Sequence, residues 1–255
     1  MTIDWPTKPG PARIPQFTAG DRPGSVGECR VGETVVLADG SVGAIRVEDF
    51  FADAAAQALH AFLCRAVVYE RDDIGVTKRA SRGARDGELP DDPLLTSAGA
   101  VNDGTRRDAE AAMAVFSSAW FVENLSSWLD VPLEVLRPST PYRLAPQDFI
   151  SPHDDYPAPE FRLSVAANLT LDAGADDGGE TFVGLVDRVE EYDWDDFFFP
   201  LKRWTLRSGE RTLRPRFNSL LLIPLSGEHA HGVRAITGGH RYSITTLYGD
   251  CLKRR

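Results

Sequence analysis

The residues that stand out chemically form a His-x-Asp pair, His153 and Asp155, directly after an extended, aromatic-bearing run. Far downstream, a second segment offers two further histidines, His229 and His231, followed by Arg241. Two histidines and one carboxylate occupy half of an octahedral metal sphere. This facial arrangement suits non-haem Fe(II) and leaves room for a co-substrate and O2. The residue types therefore predict a redox metal site assembled from distant segments.

The choice of carboxylate rests on strand geometry. Residues i and i+2 of a strand point to the same face, so we expect Asp155 to chelate together with His153 while Asp154 points away. A lone His-x-Asp pair is common by chance, and a surface turn is the alternative reading of this segment.

The third ligand is either His229 or His231, which would share one face of a strand. Arg241 favours His231, because the glycines in ITGGHRYS suit a tight turn that returns the guanidinium beside it. A planar guanidinium is the natural bidentate partner for the distal carboxylate of an iron-chelating 2-oxoglutarate. Ser243 shares the strand face of Arg241 and would donate a further hydrogen bond.

Four separated motifs occur in an order that resembles a known family. They are YRLAPQDFISPHDD, GGETFV, the pattern H-x-V-x-x-I at His231, and G-x-R-x-S ending at Ser243. Together they cover about residues 140–250 and look like the Fe(II)- and 2-oxoglutarate-dependent dioxygenases of the prolyl-hydroxylase-like group. The N-terminal half matches nothing as specific.

The resemblance implies a double-stranded β-helix that holds Fe(II) on the His-Asp-His set, with 2-oxoglutarate and O2 as co-substrates. It implies that Arg241, with Ser243 and Tyr142, anchors 2-oxoglutarate. Collagen-type members carry Lys in place of Arg241. Related halogenases replace the carboxylate that Asp155 retains here, so hydroxylation or desaturation is favoured over halogenation. Arg162 either orients a substrate carboxylate or is structural.

The pattern of elements predicts a mainly β protein with N-terminal helices and a jelly-roll, cupin-like core. We expect an irregular arm at 1–30, a helical support region at 31–131 with a long loop at 72–105, and the catalytic core at 132–255, all in one compact domain. A hairpin is expected at Asp39-Gly40.

Two amphipathic helices are expected before the core. The first follows Val47, with Asp49 or Asp53 as its N-cap, and the second begins at Arg107. After Pro132 short period-two runs predict about eight strands.

Two polar segments interrupt these elements, the loop at 72–105 and an acidic, aromatic insert at 187–204. Such long segments are usually functional or disordered. A solvated loop is the plainer interpretation, and a lid over the cavity, with Trp194 against the substrate, is the functional one.

Composition limits the partners. The net charge is −10, from 28 basic and 38 acidic residues, so the surface repels phosphate backbones and a nucleic-acid partner is not expected. Three cysteines without metal-type spacing indicate a reducing compartment. The N-terminus lacks a signal-type apolar region and no run is long enough to span a membrane, so a cytoplasmic protein is expected.

The sequence thus predicts a dioxygenase that hydroxylates an unactivated C–H bond of a small metabolite, such as an amino acid or a natural-product intermediate. The alternatives are a peptidyl or prolyl hydroxylase acting on a protein, and a metal-binding jelly roll without redox turnover. Arg241 weighs against the last, because a plain metal-binding barrel has no use for that guanidinium. The substrate itself and the oligomeric state stay open.

Overall fold

The computed structural model of the protein describes residues 22–74, 77–83, 101–155, 160–171, 174, 177–193 and 200–250. Within these ranges the chain forms three α-helices and thirteen strands. The helices are α1 (Asp53–Arg65), α2 (Asp103–Ala114) and α3 (Ala119–Leu129). The strands are β1 (Arg30–Val36), β2 (Val42–Glu48), β3 (Tyr69–Ile74), β4 (Lys78–Gly83), β5 (Leu133–Leu144), β6 (Phe149–His153), β7 (Phe161–Asn168), β8 (Thr181–Tyr192), β9 (Leu201–Leu206), β10 (Arg211–Leu213), β11 (Ser219–Pro224), β12 (His229–Val233) and β13 (Arg241–Asp250).

The strands form one antiparallel, curled sheet in the order β1-β2-β11-β7-β13-β5-β4-β6-β12-β8-β10, with β3 paired to β4 and β9 paired to β8. Strands β7, β13 and β5 line one side of a cavity whose other side is formed by β6 and β12. The predicted jelly-roll fold with N-terminal helices is confirmed. Strands distant in sequence therefore face one another across the interior.

Period-two alternation sorts the side chains of β7 and β13 between two environments. On β13, Ile244 and Tyr248 are fully buried in the main hydrophobic core, whereas Arg241, Ser243 and Leu247 line the cavity. The core side of the sheet is covered by α1, α2 and α3. The helices thus support the sheet from outside and leave its inner face to the site.

An aromatic cluster joins the helices to this outer face. Phe50, Phe116 and Phe121 pack with ring centroids 5.5 to 6.3 Å apart, and Tyr248 of β13 donates its hydroxyl to the carbonyl oxygen of Phe116 at 2.6 Å. These aromatic residues pack the helices against the sheet.

The helix boundaries differ from the expected ones. Helix α1 begins after Ala52 without a side-chain cap, and Asp49 lies before it with a φ of 54°. The second expected helix is interrupted at Ser118, whose extended backbone ends a short 3-10 turn. The Ser118 hydroxyl then accepts the Phe121 N–H and caps α3, so one predicted helix is two. The hairpin expected at Asp39-Gly40 is present, with Gly40 at a φ of 86°.

The support region and its loop also need correction. Residues 31–131 contain β1 to β4 as well as helices, and β4 lies between β5 and β6 in the sheet. The stretch 72–105 is therefore not one loop, because β3 and β4 form a hairpin within it; residues 84–100 lie outside the described residues, as does most of the arm at 1–30. None of the described helices is long and apolar enough to span a bilayer.

Candidate metal and 2-oxoglutarate site

The two histidines of the predicted metal set face each other across neighbouring strands. His153 ends β6 and His231 lies at the centre of β12, and the two residues are paired in register. Their ring centroids are 4.4 Å apart. His153 donates its Nδ1 hydrogen to the carbonyl oxygen of Ser151 at 2.9 Å, which leaves Nε2 as the ligating atom.

Asp155 completes the cluster, but strand alternation does not account for its position. Strand β6 ends at His153, and Asp155 lies two residues beyond it with a φ of 47°, in the left-handed region. Its Oδ1 is 3.5 Å from Nε2 of His153, and its Oδ2 is 3.4 Å from Nε2 of His231. Ser164 of β7 donates a hydrogen bond to Oδ2 at 3.3 Å. The expected carboxylate is in place, but a turn rather than a shared strand face puts it there.

The charges within this cluster are strongly coupled. Burial opposes ionisation of Asp155, yet the charges and hydrogen bonds of His153 and His231 hold its pKa well below the usual range. Burial lowers the pKa of His153, but the charge and hydrogen bond of Asp155 outweigh it and raise that pKa. Burial and the charge of His153 lower the pKa of His231.

This donor set fits a divalent metal ion. The ligating atoms of His153, Asp155 and His231 all lie within 4.8 Å of one another. Two imidazoles and a carboxylate are the ligands of a facial triad, which leaves coordination positions open for small molecules. The side chains of this cluster therefore fit the Fe(II) ion that the sequence predicted.

The other candidate histidine lies outside the cluster. His229 is also buried, but its Nε2 is 2.9 Å from the hydroxyl of Ser41 in the β1–β2 turn. It does not line the cavity. The geometry thus agrees with the choice of His231.

Arg241 is buried at the start of β13 and projects into the cavity. It donates to the carbonyl oxygen of Gly179 at 2.6 Å and to the hydroxyl of Thr181 at 3.0 Å. Both partners are neutral. Burial lowers the pKa of Arg241 to about 10, with the charge of Glu180 opposing the shift. A buried cation held only by neutral groups in the described structure is ready to bind an anion.

The GGET turn is shaped to hold this guanidinium. Gly178 and Gly179 have φ values of 71° and 74°, a conformation that side chains disfavour. A Cβ at Gly178 would also collide with the carbonyl oxygen of Ala235. The glycines therefore allow the turn to approach the β12–β13 connection and to aim the Gly179 carbonyl at Arg241.

Tyr142 of β5 and Ser243 of β13 are paired across the sheet and both line the cavity. Beside them lies a cation that the sequence analysis did not select: the Nζ of Lys78 is 4.6 Å from the Tyr142 ring centre and 2.5 Å from Asp72. The cavity has a volume of about 590 Å³, within the range of small-molecule sites. It joins the metal cluster to Arg241.

Two residues, Arg162 and Trp194, were predicted to contact the substrate. Arg162 is buried, does not line the cavity, and pairs with Asp250 at 3.8 Å. This position favours the structural alternative, because its charge is directed to a carboxylate at the end of β13, and the substrate role stays a prediction. Trp194 lies outside the described residues.

The described residues of the insert at 187–204 belong to a ribbon of two strands rather than a loop, since β8 continues to Tyr192 and pairs with β9. Among the described residues of the insert, the aromatic residue that lines the cavity is Trp204, which the sequence analysis missed along with Arg137 and Lys78. Strand alternation over 202–206 carried a signal for Trp204, because it places Trp204 on the same face as Lys202.

Residues 140–249 match the family model of the 2OG-Fe(II) oxygenase superfamily. This match confirms the resemblance drawn from the motifs and the class of enzyme, a 2-oxoglutarate-dependent dioxygenase. Fe(II), 2-oxoglutarate and O2 are the metal and co-substrates that this superfamily uses. No curated protein matches the chain.

Solved structures share the fold. A prolyl hydroxylase from Trichoplax adhaerens, in complex with a hypoxia-inducible-factor peptide fragment, is 13% identical with a TM-score of 0.53, covering 83% of this chain and 86% of its own. A Pseudomonas putida prolyl-4-hydroxylase is 17% identical with a TM-score of 0.50, over 82% and 92%. A Burkholderia pseudomallei protein of the 2OG-Fe(II) oxygenase family is 17% identical with a TM-score of 0.50, over 81% and 85%. At these identities the likeness shows the fold alone.

Proposed function

We propose that this dioxygenase hydroxylates an unactivated C–H bond of a small metabolite, with a free amino acid as the preferred class. The observation that carries the proposal is one cavity of about 590 Å³ that holds both the metal cluster and Arg241. Pockets of this size suit small ligands. A cavity that also receives 2-oxoglutarate leaves space for a second small molecule next to the metal.

Each proposed role follows from what the side chain contacts. His153, Asp155 and His231 would hold Fe(II), with the Ser151 carbonyl and the Ser164 hydroxyl fixing two of the three ligands. Bound iron supplies the activation of O2 and the oxidation of the substrate, while 2-oxoglutarate is converted to succinate and CO2.

The co-substrate would bind between the metal cluster and the start of β13. Arg241 pairs with its distal carboxylate, as the buried guanidinium lacks a charged partner among the described residues. Tyr142 and Ser243 line the path between the two ends and would donate hydroxyl hydrogen bonds. Residues of β5 and β13 form the walls of this part of the cavity.

Two hairpins border the remaining space. Ile74, Thr77 and Lys78 come from the β3–β4 hairpin, and Lys202 and Trp204 come from the β8–β9 ribbon. Walls on several sides favour a small molecule over a long peptide.

The test is a screen of free amino acids for substrate-stimulated succinate release by the Fe(II)-loaded enzyme. We expect stimulation by one or a few amino acids, together with a product whose mass is higher by one oxygen atom. Stimulation by proline-containing peptides alone would instead establish a peptidyl hydroxylase. Failure to bind 2-oxoglutarate at all would contradict the roles given to Arg241 and the metal cluster.

A further inference from the structure

The cavity is positively charged in a protein of net charge −10. Its described lining includes four cations, Lys78, Arg137, Lys202 and Arg241, against the carboxylates of Asp154 and Asp155. Asp155 belongs to the metal cluster. Excess positive charge at one concave site of an acidic protein attracts an anionic ligand.

Two of the four cations already have assignments. Arg241 lies at the proposed 2-oxoglutarate end, and Lys78 is bound to Asp72 at 2.5 Å. Lys202 of β9 lies directly opposite Glu191 of β8 in the ribbon, where opposite charges stabilise each other. This leaves Arg137 as a cavity cation without an ion-pair partner among the described residues.

The Arg137 guanidinium is exposed and lies over the ring of Phe161, 5.7 Å from its centroid. Stacking on an aromatic ring restrains a guanidinium while leaving its edge free to donate hydrogen bonds. The edge of such a fork matches the two oxygens of a carboxylate. Arg137 is therefore a restrained donor group at the cavity rather than a freely moving surface side chain.

The strand register places Arg137 within reach of the metal. Arg137 of β5 is paired with Leu247 of β13, and Leu247 is paired with Ser164 of β7. Ser164 in turn donates to Asp155. Two strand spacings, about 10 Å in total, thus separate the backbone of Arg137 from that of Ser164. A small molecule held at one end by Arg137 can present a carbon atom to the metal cluster at its other end.

We propose that Arg137 binds the carboxylate of the primary substrate and so selects small molecules with a free carboxyl group. The inference rests on the proposed function and deepens it, because it specifies which end of an amino acid the cavity holds. A peptide residue lacks this carboxylate, except at the C-terminus, so Arg137 also discriminates against peptides.

The test titrates free amino acids, and the primary carboxamide of each one that responds, anaerobically into the protein loaded with Fe(II) and 2-oxoglutarate. Binding is followed by the perturbation of the metal-to-ligand charge-transfer band, so no turnover is needed. We expect the acid to bind roughly ten- to a hundredfold more tightly than its amide, as expected for a charge-assisted hydrogen bond. In Arg137→Gln the acid should bind about as weakly as the amide, and Arg137→Lys should recover part of the difference.

The control is Arg203→Gln. Arg203 is also an exposed arginine over an aromatic ring, 5.3 Å from the centre of Tyr192, but it does not line the cavity. The Arg203→Gln variant should bind the acid as tightly as the unmodified protein does. The affinity for 2-oxoglutarate should be unchanged in every one of these variants. Lost 2-oxoglutarate binding in the unmodified protein would instead indicate failure of the proposed function.

Several outcomes would overturn the inference while leaving the dioxygenase assignment intact. One is equal affinity for acid and amide in the unmodified protein, as a peptide-binding site would show. Another is that the Arg137→Gln variant keeps full affinity for the acid. A further one is that only the Lys202→Gln variant loses affinity for the acid. A protein that binds 2-oxoglutarate but no free amino acid would also refute it.

Discussion

The inner end of the cavity and its mouth are built in different ways. At the inner end, Arg241, Ser243 and His231 project from β12 and β13, and strand register fixes their spacing. At the mouth, Lys78 and Trp204 come from two hairpins that join the sheet through β4 and β8. The inner end therefore carries the candidate metal ligands and the proposed 2-oxoglutarate anchor, and we expect the mouth to select the substrate.

Removing a metal ligand should have the largest effect, because it acts at the inner end. His153→Ala or His231→Ala removes one of three ligands, and we expect loss of stoichiometric Fe(II) binding and of turnover with an intact fold. Metal content and circular dichroism measure the two properties. His229→Ala is the matched control, since His229 lies on the same strand but contacts Ser41. Full activity in either ligand variant, or loss of metal in the control alone, would contradict the ligand set.

The next effect concerns the co-substrate. In Arg241→Ala the distal carboxylate of 2-oxoglutarate would be buried without a cation, at a cost of roughly 3–5 kcal/mol. That cost corresponds to a weakening of more than about a hundredfold. Anaerobic titration of 2-oxoglutarate into the Fe(II) protein measures it through the charge-transfer band. Arg241→Lys, which keeps the charge but not the fork, should bind with intermediate affinity, and unchanged affinity in the alanine variant would refute the role.

A smaller effect is expected where the inner end is supported from β7. Ser164→Ala removes the hydroxyl that donates to Asp155 and leaves all three ligands in place. Removing a group that orients a metal ligand typically weakens metal affinity ten- to a hundredfold. We expect the Fe(II) affinity to fall about tenfold here, because the hydrogen bond of 3.3 Å is long. A chelator competition measures the Fe(II) affinity. An unchanged value would show that the turn at Asp155 holds the carboxylate without help.

The difference between the two regions also explains what the sequence could predict. His231 and Arg241 were predictable, because a strand, a glycine turn and a second strand fix their relation within ten residues. Asp155 was predictable as a ligand but not in its geometry, since its left-handed backbone breaks the strand periodicity on which the expectation relied.

The mouth was less predictable, because it depends on pairings between distant segments. No local pattern indicates that β4 lies between β5 and β6, and polar residues such as Lys78 and Arg79 resemble those of a loop. Arg162 sits on a strand beside the site, and only the tertiary structure reveals Asp250 as its partner. Non-local register, rather than residue type, was the missing information.

The smallest predicted effect is at the mouth, and it tests whether the ribbon takes part in catalysis. Trp204 lines the cavity from β9, and β9 also contacts β6, which carries His153. Trp204→Ala would open this wall to solvent. Water exclusion protects reactive intermediates and directs oxidation to the substrate. We therefore expect a severalfold rise in succinate formed per product, with 2-oxoglutarate affinity unchanged.

The measurement is the ratio of succinate to hydroxylated product, and the control is Arg203→Gln, which alters the other face of the same strand without touching the cavity. An unchanged ratio in Trp204→Ala would make the ribbon a solvated extension, and substrate selection would then rest on β5 and its Arg137. A large loss of 2-oxoglutarate affinity would instead show that the mouth and the inner end are one coupled site.

The same comparison applies to Trp194→Ala, because the role of Trp194 as a substrate contact stays a prediction. If only Trp204→Ala changes the ratio of succinate to product, the functional aromatic residue lies on β9 rather than in the segment 194–199.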